Sequence, residues 1–114
     1  MRDEQAHLWD MLKSAKRILA YVDAMTWEHF ETNAAIQDAI NWRLVIIGES
    51  AKAISAETRA RLPQLPFSDM ARMRDKMIHV YWRVDARIIW QTIKTDLPAL
   101  VQVLAQILPS EAQQ

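Results

Sequence analysis

AAIQDAINWRLVIIGESAKAISAETRAR, residues Ala34–Arg61, carries Ile36, Ile40, Leu44, Ile47, Ala51 and Ile54 at spacings of 4, 4, 3, 4 and 3. Helical geometry puts residues spaced this way in one stripe, so the stretch predicts a long helix from about Ala34 to Arg61. Gly48 falls on the margin of that stripe. A glycine inside a helix costs about 1 kcal/mol relative to alanine. Its presence therefore points to close packing of another helix, or to room for a ligand or a second backbone.

The same period extends outward in both directions. Upstream, Leu8, Leu12, Ala15, Leu19 and Val22 predict a first helix from Asp3 to Asp23. In the intervening TWEHFETN, Thr26 can cap one helical turn and Asn33 the long helix. Downstream, LPQLPF interrupts the pattern, because proline lacks a donor and restricts the residue before it. A third helix is expected to start at Pro66 or Phe67 and to end or bend around Trp82 to Val84. Asp85 is placed to cap ARIIWQTIKT, and Asp96 to cap a fifth helix with Pro98 in its first turn. Ile93, Leu97, Leu100, Leu104 and Ile107 continue one stripe across that junction, so the last two segments should act as one bent helix. The fold class that follows is all-α, an antiparallel bundle of four to five helices. Residues 1–108 form one domain, and residues 109–114 a polar tail.

Composition excludes several classes. With 51 % hydrophobic and 25 % charged residues among 114, the chain suits a soluble globular domain rather than a disordered one. Fourteen Lys and Arg balance fourteen Asp and Glu, so no global field advertises a polyanion and any such site must be local. The chain has no cysteine, which removes disulfides and thiolate metal ligands. His7, His29 and His79 show no H-x3-H or HExxH spacing, so no metal site is expected, and no cofactor. No run of about 18 apolar residues is present, and MRDEQAHLWD does not lead into the apolar core of a secretory signal. A soluble cytoplasmic protein without membrane partners is the expectation.

Chemistry concentrates in RMRDKMIHVYW, Arg72–Trp82. As a helix it puts Met70, Met73, Met77 and Val80 on an apolar face, with Arg74 inside that face or at its edge. A buried, unpaired guanidinium costs several kcal/mol, so Arg74 needs a counter-charge, a second subunit or a ligand. Glu49, beside Gly48, is a suitable counter-charge. Arg72, Lys76, His79 and Arg83 follow one another at spacings of 4, 3 and 4 on the opposite face. That basic stripe reads as a solvated surface or as a track for phosphates. Arg74 and His79 stand about 140° apart around a regular helix. They can cooperate if the helix deforms, or if a twofold axis brings two copies of each together. Tyr81 returns to Arg74's side. The five tryptophans, at 9, 27, 42, 82 and 90, are most simply core or interface anchors.

The spacing R-x4-H-x-Y, here Arg74, His79 and Tyr81, resembles the signature of the HEPN superfamily. Within it, the chain looks like the small HepT-like toxins encoded beside MNT-type nucleotidyltransferases. IIGESAK (46–52), LPFSDMARMRDKMIHVYWRVD (65–85) and IIWQTIKTDLPAL (88–100) carry the resemblance. It implies a bundle-like homodimer acting as a metal-independent endoribonuclease, with Arg74 and His79 catalytic in a cleft between subunits. It also implies that Tyr81 accepts AMP from the partner nucleotidyltransferase, which acts as antitoxin. Asp75, Arg72, Lys76, Arg83 and Glu49 would support the site or bind RNA. Two positions depart from the pattern. Asp75 stands where Asn is common and brings a negative charge, and Val80 stands where Gly is common and adds bulk. The alternative reading is a non-catalytic helical dimer that binds a nucleotide or docks a nucleotidyltransferase.

Overall fold

The computed structural model describes residues 3–79, the side chain of His79 excepted, and residues 85–109. All regular structure among them is helical. Seven segments run in order: α1 Glu4–Val22, α2 Trp27–Glu31, α3 Ala34–Lys52, α4 Ala56–Arg61, α5 Phe67–His79, α6 Ala86–Thr95 and α7 Leu97–Ile107. The rods α1, α3, α5 and the bent pair α6–α7 make the bundle, and α2 and α4 are short connecting turns. None of the described helices is long and apolar enough to cross a membrane.

Local capping starts most of these elements. Asp3 accepts from the Gln5 N–H at 3.1 Å, Thr26 from that of His29 at 3.2 Å, Asn33 from that of Ile36 at 3.0 Å and Asp85 from that of Arg87 at 2.8 Å. Each meets an amide that the first helical turn leaves without a partner. Gln37 secures the α2–α3 corner by donating to the carbonyls of Phe30 at 2.7 Å and Glu31 at 3.0 Å. The chain leaves α1 through Ala24 at φ 61°, a left-handed conformation in which glycine is the commoner residue.

The expected single helix over Ala34–Arg61 is two helices. α3 ends at Lys52 and α4 begins at Ala56, with Ser55 as its cap. The cause is a polar clamp reaching in from α1. The Glu4 carboxylate accepts from the Ser55 N–H at 2.5 Å and from the Thr58 hydroxyl. The Arg59 guanidinium donates to the carbonyls of Ile54 at 3.1 Å and Ala51 at 2.7 Å, which satisfies the frayed end of α3. Asp96 also departs from expectation. Its backbone is helical, its N–H bonds the Thr92 carbonyl at 2.8 Å, and its side chain caps nothing. The α6–α7 junction is thus a bend within a nearly continuous helix.

The core runs through Met11, Ile18, Phe30, Ile40, Met77, Ile93 and Leu104, all essentially without solvent contact. On α1 the buried face is wider than the predicted stripe, since Met11 and Ile18 are fully buried while Leu19 is only half-buried. α3 lies between α1 and α5, and α7 packs on α1 and α6. Arg59 holds the C-terminal carbonyls of α3 and stacks 5.7 Å from the Phe67 ring at the start of α5. The end of α3 therefore meets the beginning of α5, and the two run antiparallel.

The clamp makes a prediction about pH. Thr58 first, and then Ser55, hold the Glu4 carboxyl below its ordinary value. A depressed folded-state pKa contributes stability that is complete above the unfolded-state value and is lost as pH falls through the folded one. Glu4→Gln should lower Tm at neutral pH, and the gap from wild type should narrow as the solution is acidified, read by thermal melts across a pH series.

Candidate active site

Gly48 is where the site is built. A Cβ at this position would lie 2.1 Å from Arg74 Cβ and 2.7 Å from the Met70 carbonyl oxygen. α3 and α5 thus cross too closely for any side chain larger than hydrogen. Of the two sequence readings of Gly48, close helix packing is the one realised. The arginine stem fills the contact and its charged end emerges at the seam. Arg74 keeps 20 % side-chain exposure, against about half for its partners.

Two carboxylates meet the guanidinium. Arg74 pairs through Nη2 with Glu49 and donates through Nη1 to Asp75 at 2.9 Å. Asp75 also accepts from Lys52 Nζ at 3.0 Å. The hydrogen bond to Asp75, ahead of the charge on Glu49, raises the Arg74 pKa above its ordinary value and outweighs the opposing effect of desolvation. Arg74, and then Lys52, hold the Asp75 carboxyl below the usual carboxylate range. The four charges sum to zero. Arg74 Nε is buried and has no acceptor among the described residues.

The structure therefore brings Glu49, Arg74 and Asp75 together, and adds Lys52, which the sequence reading left unassigned. The missed signal was its place one turn after Glu49 on the same side of α3. Arg72 and Lys76 are exposed on another face of α5, and among the described residues Arg72 is ion-paired only with Asp69, at 3.9 Å. Of the predicted apolar face, Met77 is buried and Met70 and Met73 pack against the core, while Ile78 is 48 % exposed. The backbone of α5 is helical as far as His79, so positions 74 and 79 are about 140° apart around it. The His79 side chain, Val80, Tyr81, Trp82, Arg83 and Val84 lie outside the described residues. Among the described residues no cluster of His, Asp and Glu is placed to hold a metal ion.

An all-helical bundle with an arginine fixed at a helix–helix seam, five residues before a histidine, defines the class. A family model described as ribonuclease HepT-like matches residues 11–107. The chain is 36 % identical over 107 residues to "Putative RNase MJ1216" of Methanocaldococcus jannaschii, covering 94 % of this chain and 88 % of that one. It is 36 % identical over 99 residues to "Probable ribonuclease HepT" of Thermococcus cleftensis, covering 87 % and 90 %. It also matches "Gamma-glutamylcyclotransferase and putative RNase MJ0434" of M. jannaschii, 33 % identical over 107 residues, which is 94 % of this chain and 48 % of that longer protein. No solved structure matches. The chain belongs to the HepT-like ribonuclease family, an enzyme class named for cutting RNA.

The crossing yields a second prediction. In a helix open to solvent, Gly48→Ala would gain about 1 kcal/mol. Here the new methyl meets backbone and a stem carbon rather than a flexible tip, and overpacking of this kind costs about 1–3 kcal/mol. The expected net result is a Tm lowered by several degrees, checked by calorimetry, together with weaker function through displacement of Arg74.

Proposed function

We propose that this chain is a metal-independent endoribonuclease toxin that works as a homodimer and is neutralised by an MNT-type nucleotidyltransferase. The observation that carries the reading is Arg74. Its stem is locked by Gly48, its charge is secured by two carboxylates, and it stands at the family's motif position. A guanidinium held in this way needs little reorganisation to meet charge developing on a phosphate in the transition state, and its planar donors match phosphate oxygens.

His79 would act as general acid or base toward the ribose 2′-hydroxyl or the leaving oxygen, a role suited to an imidazole near neutral pH. The 2′-oxygen would attack phosphorus, its proton passing to the base, and the P–O5′ bond would break with a proton supplied to the leaving oxygen. Because α5 remains helical to His79, positions 74 and 79 do not converge by local geometry, which favours a site completed by a second copy. Two large apolar side chains left in solvent on α3 and α5 support such a face. Trp42 is 63 % exposed and Ile78 48 %, and exposed side chains of this size are common interface anchors. AMP added to Tyr81 would place bulk and negative charge beside the cleft and exclude RNA.

One observation favours a non-catalytic nucleotide-binding or docking dimer instead: Glu49 and Asp75 already engage both terminal nitrogens of Arg74. The two readings part on turnover. RNA should be cleaved in the presence of a chelator while DNA of the same sequence survives, and Arg74→Ala or His79→Ala should each lower cleavage by at least about 100-fold with helical circular dichroism unchanged. Binding of RNA without product over hours would favour the second reading. Trp42→Asp should convert the dimer to monomer in light scattering and abolish cleavage. A wild-type monomer that cleaves at full rate would remove the shared-cleft assignment.

A further inference from the structure

A second cationic feature lies away from Arg74, on α2 and α6. Trp27, Phe30 and Trp90 form one aromatic cluster, with Trp27 and Trp90 edge to face at 6.2 Å and Phe30 and Trp90 at 5.0 Å. This cluster fastens α2 to α6. Two cations cover it from outside: the Arg87 guanidinium stands 4.3 Å from the Trp27 ring centre, and Lys94 Nζ 4.6 Å from that of Trp90. Both residues are exposed, and neither is in an ion pair with a carboxylate among the described residues.

Seven residues separate Arg87 from Lys94, which places them on one face of α6 and about 10 Å apart along its axis. That separation lets the two cations meet different phosphates of one strand. The rings hold each cation from one side and restrict its rotamers, while the outward N–H groups stay available. The ring contacts stabilise the cations modestly without neutralising them, so their charge remains for a further partner. Charge neutrality of the Arg74 cluster makes the contrast sharper, since that cluster has no net positive charge to gather a strand. His79 and Asp85 are six residues apart, at most about 21 Å of chain, so α6 starts within reach of the end of α5.

We infer that Arg87 and Lys94, seated on Trp27 and Trp90, form a phosphate-backbone track that holds single-stranded RNA beyond the scissile bond. The proposal rests on the ribonuclease reading and extends it to a subsite on α6. The track carries no base readout, because the ring faces are occupied by the cations, and it therefore favours long strands over short ones without regard to sequence.

The test is a fluorescence-anisotropy titration of the full chain with 2′-O-methyl RNA, which lacks the attacking hydroxyl, as a 16-mer and as a trinucleotide, over a range of salt. For the 16-mer, Arg87→Gln with Lys94→Gln should reduce the slope of log affinity against log salt by about 1.4, or about 0.7 for each lost phosphate contact, while trinucleotide affinity is unchanged. The charge-keeping pair Arg87→Lys with Lys94→Arg should retain the wild-type slope. Should the double variant lose its fold, Lys94→Gln alone should give half the effect. An unchanged slope, or equal loss on the 16-mer and the trinucleotide, overturns the track. Cleavage of unmodified 16-mer in the same preparations reports separately on the ribonuclease reading. Wild-type protein that cleaves but shows no slope difference from the double variant defeats the track alone, and protein that neither binds nor cleaves defeats both.

Discussion

The approach of α3 to α5 at Gly48 is the constraint on which fold and site jointly depend. The chain has one glycine, and it stands where a Cβ would overlap both the backbone and the arginine stem of the facing helix. Close approach lets the methylenes of Arg74 pack as an apolar residue would, while the head group reaches the seam. The charged cluster contributes little to stability by comparison, because its carboxylates are about half exposed and ion pairs in such settings are screened and entropically costly. Packing fixes where the guanidinium starts, and the carboxylates fix where it points.

Much of this was legible in the sequence because it is local. The apolar stripes, the capping residues Thr26, Asn33 and Asp85, the bend of α6 into α7, and the pairing of Arg74 with Glu49 all follow from residues within a few turns of one another or from a charge that had to be met. What was not legible depends on distant groups. The stripe passes unbroken through Ala51 and Ile54, so nothing near Ser55 announces that α3 must stop. The decisive partner is Glu4, at the other end of the sequence. Asp96 has the chemistry of a cap, yet the helix continues through it and leaves no first-turn amide in need of one. Lys52 was overlooked because its partner, Asp75, lies on another helix. His79 and Tyr81 of the motif, and Arg83 of the basic stripe, are read from their spacing and from the family resemblance, since their side chains lie outside the described residues.

Asp75 changes meaning once its neighbours are known. As a departure from the family pattern it suggested a charge that would repel RNA. In the folded chain Lys52 and Arg74 both bind it, and its pKa is depressed for that reason, so its negative charge is already balanced. Its effect on a phosphate is therefore short-range competition for Arg74's donors, not a repulsive field. The incoming phosphate would displace or share the Nη1 contact, and Lys52 would remain to hold the carboxylate. An exchange of this kind keeps every charge paired before and after binding, which avoids the large cost of leaving an ion unmet in a partly buried place.

Neutrality has a further consequence for how substrate is gathered. Without a net positive charge, long-range steering of a polyanion is weak, and a cluster summing to zero adds none. Attraction must then come from cations that lack carboxylate partners and hold fixed positions. Among the described residues such cations stand on α6, where aromatic rings rather than acids restrain them. Rings can orient a cation without cancelling it, whereas carboxylates orient and cancel together. On the reading proposed above, the division between a charge-balanced centre at Arg74 and ring-held cations on α6 would separate two demands that conflict at a single site: a rigid electrophilic clamp for the reacting phosphate, and cations left free of side-chain ion pairs among the described residues for the strand that carries it.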